Sequence, residues 1–166
     1  MQLWGKLNGV KRVSLTVDVS ASIASSVSKE QVSNDAELAL RTHGISVGSA
    51  PGNTRLDGIL SIAIGSVRSS TNDNINAVQV RVQYLETSTP TRLLTYCANS
   101  APRSNPTEDK VVAVINCLDV YSIMVPVWDN DELGMVGKDK LATARQKAKD
   151  LVDAFLIDWL KANEKH

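Results

Sequence analysis

The sequence predicts an α+β domain. One mainly antiparallel sheet of about five to six strands is packed by two helices, in the order β-α-β-β-β-β-β-α. Three observations carry this prediction. First, Asp139 to Asn163 repeats Leu141, Ala144, Ala148, Leu151, Val152, Phe155, Trp159 and Leu160 at spacings of three and four, which gathers them on one helix face. Second, Leu56–Val67 and Ala77–Glu86 alternate apolar and polar residues around a polar turn, Ser69–Asn74, as a hairpin does. Third, the strand-like runs follow one another directly, with helical patterns toward the two ends. That order favours α+β over a doubly wound sheet.

The remaining elements follow in chain order. Residues 1–9 read as a leader, with Trp4 placed to pack back. Val10–Val19 alternates, with Val13, Leu15, Val17 and Val19 on one side and Ser14, Thr16 and Asp18 on the other, so it is a strand with one buried face. The Ser-rich run Ser20–Ser28 is a loop. Ser28 and Gln31 form a capping box that opens a helix over residues 29–43, with Val32, Ala36, Ala39, Leu40 and His43 on one face. Gly44 supplies the left-handed stop. Ile45–Ser49 is a short strand and Ala50–Arg55 a turn. Inward residues of the hairpin are Leu60, Ile62 and Ile64, then Val78, Val80, Val82 and Tyr84. Leu93–Ala98 is a weaker strand, and residues 99–109, holding Pro102 and Pro106, a long loop. Lys110–Val127 is a long apolar strand. Trp128–Gly137 reads as an acidic, Gly-containing loop before the second helix, residues 139–163.

The 166 residues suit a single domain, 1–166, that buries roughly 70% of its unfolded surface. With 43% hydrophobic and 22% charged residues, a folded globular chain is expected rather than disorder. The net charge of zero argues against nucleic acid as a partner, because phosphate-backbone binding needs a cationic surplus. No apolar run is long enough for a membrane span. The nearest, Val111–Trp128, is broken by Asn116, Asp119, Ser122 and Pro126. No signal peptide follows Met1, which leaves open a cytoplasmic protein or a mature chain whose leader was replaced. Cys97 and Cys117 have no metal-binding spacing. They form either a disulfide, contributing about 3 kcal/mol, or two separate buried thiols.

His43 lacks a G-x-S-x-G elbow to serve, and its place in the last helical turn suits the dipole there. Neither cysteine sits where a thiolate would be stabilised. Gly134–Asp139 differs from a phosphate loop in its glycine spacing, and Asp139 stands where a magnesium-binding hydroxyl belongs. Asp129–Gly134 starts like a calcium loop, but Leu133 and Lys140 occupy ligand positions. No carboxylate pair stands out for glycoside chemistry. The reading is therefore non-enzymatic, with no cofactor and no metal.

Two stretches carry a resemblance. Glu37-Leu38, Leu40-Arg41, Gly44-Ile45 and Val47 match an "E-L-x-L-R-x-x-G-I-x-V" pattern, and Lys149 to Phe155 contains a "D-L-V-D-x-F" helix. In these the chain resembles a family of small, uncharacterised, exported bacterial proteins. The resemblance implies the periplasm or cell envelope, and no chemistry. Glu86 to Lys110 departs from the pattern. Together these readings point to a non-catalytic interaction or structural domain of the bacterial cell envelope with a protein partner. Its working surfaces would be an exposed strand edge and the 99–109 loop. The alternative is a small-ligand binding protein, with a pocket between sheet and C-terminal helix lined by Tyr121, Trp128 and Trp159.

Overall fold

Alternation in the N-terminal half builds a mixed sheet in the computed structural model, which describes residues 7–48, 57–72, 74–88 and 123–164. The elements are β1 (Arg12–Val19), α1 (Lys29–Thr42), β2 (Ser46–Val47), β3 (Gly58–Arg68), β4 (Ile75–Ser88), β5 (Ile123–Gly137) and α2 (Thr143–Asn163). Lys138–Lys140 forms a 3₁₀ turn ahead of α2. The sheet runs β2-β1-β3-β4-β5. The α+β class, the one sheet and the two helices are those the sequence implies.

The sheet is less antiparallel than expected. β1 is parallel to both its neighbours, pairing Arg12–Val13 with Ser46–Val47 and Val13–Val19 with Gly58–Ile64. The reason lies in the connection. A helix joining β1 to β2 is a crossover, and a crossover returns the chain parallel. β3 and β4 form the expected antiparallel pair, Ile59–Arg68 against Asn76–Leu85.

Local chemistry sets the ends of α1. The Ser28 hydroxyl accepts from Gln31 N at 3.3 Å, half of the capping box. The Gln31 side chain does not turn back; its Oε1 accepts from Arg145 Nη1 at 3.0 Å instead. Gly44, at φ 82°, ends the helix in a conformation that costs glycine nothing. The Ser-rich loop before the helix is pinned by Ile23 and Val27, both buried.

The second helix starts later than its periodicity suggests. Asp139 makes no cap, so the chain turns once in 3₁₀ form, and regular helix begins at Thr143. The segment Trp128–Gly137 is a correction: it is strand, not loop. Its Asp, Asn and Gly residues have poor β propensity, but partners on β4 and α2 hold them in the ladder.

One face of the sheet carries the core. Val13, Leu60, Ile62, Ile64, Val78, Val80, Val82 and Tyr84 are buried there. α1 lays Val32, Ala36 and Leu40 on this layer; α2 adds Ala144, Ala148, Leu151, Val152, Phe155 and Leu156. The small residues Ala36 and Ala148 line the crevice between the helices, whose free volume of about 10 Å³ leaves room for one water at most. Burying each large aliphatic or aromatic side chain contributes roughly 1.5–3 kcal/mol. Phe155 is the hub of the aromatic packing, 5.8 Å from the Tyr84 ring and 5.3 Å edge-on from Trp128.

Residues 7–9, read as the end of a leader, belong to the fold. Leu7 is buried, and Asn163 at the end of α2 clasps the segment. Its Nδ2 donates to Leu7 O at 3.0 Å and its Oδ1 accepts from Gly9 N at 2.8 Å. The chain divides into two compact units, residues 1–85 with 126–166, and residues 86–125. Only the strand ends 86–88 and 123–125 of the second unit are described. The expected strand Leu93–Ala98, the 99–109 loop and most of Lys110–Val127 lie outside the described residues.

Candidate functional site

Strand alternation that buries one face necessarily displays the other. The helix-free face carries Ser14, Thr16 and Asp18 of β1; Ser61, Ala63, Gly65 and Val67 of β3; and Ala77, Gln79, Arg81 and Gln83 of β4. The registers place Asp18 beside Ala63, and Ala63 beside Arg81, in one row. β5 extends this face. Arg81 Nε donates to Asp129 Oδ1 at 2.9 Å, and Gln79 Nε2 to Asp131 Oδ2 at 3.3 Å. These pairs run in opposite chain directions on the two strands, as antiparallel neighbours do.

The Arg81 guanidinium holds the Asp129 carboxyl below its usual range, against the opposing effect of burial, and Gln83 adds a hydrogen bond to the charged form. Two and four residues beyond Asp131, alternation brings Leu133 and Met135 to the same face. They lie toward the end of β4 where Ala77 pairs with Val67. Val67, Leu133 and Met135 are 72, 72 and 73% exposed. Three apolar side chains this bare, beside a charged row, make a local patch of the kind that marks contact surfaces. At the rim, Ser22 Oγ donates to Ser66 O at 2.8 Å and contacts the hydroxyls of Ser20 and Ser66 at 2.7 and 3.0 Å.

Trp128 spends its indole N–H on Asp158 Oδ2 at 3.1 Å and its ring on Phe155. Trp159 donates to Val10 O at 2.9 Å, tying α2 to the start of β1. Both therefore have structural partners. Tyr121, Cys97 and Cys117 lie outside the described residues. His43 follows α1 and is exposed, with Nδ1 2.8 Å from Ala39 O. Asp18 is exposed on the helix-free face, while Asp35 is bound to Arg145 by two bonds of 2.7 and 3.0 Å. Gly134 and Gly137 are strand residues, and Asp129 and Asp131 are engaged with β4, which gives these segments roles in the sheet.

Leu133 and Met135 escaped the sequence reading because their segment looked like loop. The available signal was the period-two recurrence of apolar residues at 133 and 135. Val67 was assigned to its strand, but nothing in sequence told that its neighbours would be small.

No protein-family model matches the chain, and no curated protein does. Among solved structures, it is similar to the PelC dodecamer from Paraburkholderia phytofirmans, at 16% identity and a TM-score of 0.43, covering 92% of this chain and 89% of that one. It is also similar to the rare lipoprotein B from Shewanella oneidensis, at 10% identity and a TM-score of 0.31, covering 90% and 92%.

Proposed function

We propose that this protein is a non-catalytic interaction domain whose working surface is the helix-free face of the sheet. The observation that carries the reading is the exposure of Val67, Leu133 and Met135 beside the Arg81–Asp129 pair. Apolar side chains supply area to be buried, and the flanking charges orient whatever docks. The envelope location rests on the sequence resemblance in α1 and α2 to exported bacterial proteins. The test is site-specific photocrosslinking in bacterial cells expressing the full chain. A photoreactive residue at position 133 is expected to give a discrete higher-mass adduct. The same residue at Lys149, exposed on α2, is expected to give none. Equal labelling at both positions, or none at either, would overturn the reading.

A further inference from the structure

Among the described residues, β1 is paired with β3 from Val13 to Val19 on one side and with β2 at Arg12 and Val13 on the other. Ser46 N donates to Lys11 O at 2.8 Å and Gly48 N to Val13 O at 3.2 Å, both toward β2. Arg12 O accepts from Asp57 N at 2.8 Å, toward β3. Successive residues of a parallel strand turn their N–H and C=O to opposite sides. Leu15, Val17 and Val19 therefore address the β2 side, where β2 has already stopped at Val47. Their backbone groups on that side have no hydrogen-bond partner among the described residues. A row of unpaired N–H and C=O groups along a strand edge is a template for a further strand. A groove of 310 Å³ lies at the same place, lined by Ser14, Leu15, Ser33, Glu37, Val47 and Gly48.

We infer that this flank of β1 is a strand-addition site, taking an extended segment of a partner protein where β2 leaves off. The open ladder from Leu15 to Val19 is about 13 Å long, enough for a strand of four to five residues, ~3.3 Å each. Main-chain bonds supply the attachment and alternate side chains the selectivity. On the helix side the added strand meets Leu15 and Val47, half-buried and apolar, and then Ser33 and Glu37. On the other side stands the exposed Asp18. The two carboxylates, one of them shared with Arg41 at 2.7 Å, favour a segment alternating apolar residues with Lys or Arg. Edges that are not meant to pair usually carry Lys, Pro or a bulge; this flank has Leu, Val and Val in an unbroken register. The inference goes beyond the proposed function, since it uses a different surface and stands without it.

A library of displayed linear peptides, selected against the full chain and followed by residue-resolved amide exchange, tests the site. In the free protein Leu15 and Val19 amides are expected to exchange much faster than those of Thr16 and Asp18, which face β3. Adding a selected peptide is expected to slow Leu15 and Val19 by about tenfold or more. Leu15→Pro removes a donor on the open side only, and is expected to weaken the peptide about tenfold or more, whereas Leu15→Ala keeps the N–H and the binding. If Leu15→Pro does not fold, the exchange experiment on the unaltered chain still decides. The inference is overturned if no peptide is selected, if Leu15 and Val19 are already protected in the free protein, or if self-association of the chain protects them. It is also overturned by peptides that protect only amides around Leu133, a result that would leave the proposed function standing.

Discussion

Gly58→Ala examines how tightly the start of β3 is packed. A Cβ at this position would lie 2.4 Å from Leu85 O and 2.7 Å from Cε2 and Cζ of Tyr84. Real Cβ atoms do not approach so closely, so something must move. Leu85 is backbone, held opposite Ile59 in the β3–β4 ladder. Tyr84 is fully buried and packs on Phe155, so its ring has no free direction. Overpacking of this kind costs about 1–3 kcal/mol. The lower entropy of alanine in the unfolded chain returns about 0.4–1 kcal/mol. The net loss is about 1–2 kcal/mol, or roughly 2–8 °C in melting temperature for a domain of this size. Urea and thermal denaturation measure it directly. A paired variant isolates the cause: Tyr84→Leu costs stability alone, yet makes room for the new methyl group. The double variant is therefore expected to lose less than the sum of the two. An unchanged or raised melting temperature for Gly58→Ala, or strict additivity with Tyr84→Leu, would refute the reasoning.

Three further outcomes are expected. Arg145 hydrogen bonds hold the Asp35 carboxyl below its ordinary range, outweighing burial. That contribution is present above the unfolded carboxyl pKa, about 3.9, and fades as pH falls through the lower folded value. Asp35→Asn is accordingly expected to be less stable than the parent in neutral urea titrations and to converge with it in acid. Asn163→Ala removes the clasp on Leu7 and Gly9, and is expected to cost about 1–2 kcal/mol while speeding amide exchange at Gly9. If the chain matures in the envelope as proposed, intact mass after thiol alkylation is expected to find Cys97 and Cys117 protected until a reductant is added.

Periodicity made the buried layer legible. Leu60, Ile62 and Ile64, and Val78 through Tyr84, alternate over enough residues to leave one solution, and all seven are buried. The α2 stripe is equally plain through Phe155, though its end is not. Leu160 stays 41% exposed and Trp159 half-buried, because the helix runs past the sheet and meets the N-terminal segment there. What the pattern could not supply is pairing between distant segments. Nothing near Asp129 and Asp131 announces Arg81 and Gln79, some fifty residues away, and these partners hold β5 in the ladder. Likewise the capping box was legible as two residues, Ser28 and Gln31. Which of its two hydrogen bonds forms depends on Arg145, which reaches Gln31 from the far end of the chain.

Both surfaces assigned here arise from the same economy in the sheet. Two helices suffice to cover one face, because Ala36, Ala144 and Ala148 let them lie close over Ile62 and its neighbours. The chain then has no helix for the opposite face among the described residues, and the barest apolar side chains on that face are Val67, Leu133 and Met135. β2 presents a parallel case. Its apolar alternation ends at Val47, and Gly48 carries no side chain to continue it. The chain has returned to pair Gly58 with Val13, the same residue that pairs with Val47. With β2 ending beside the first residues of β1, Leu15 to Val19 have a ladder on only one side among the described residues. A strand this apolar, bonded on one side and grooved on the other, has the shape of a central strand lacking its neighbour.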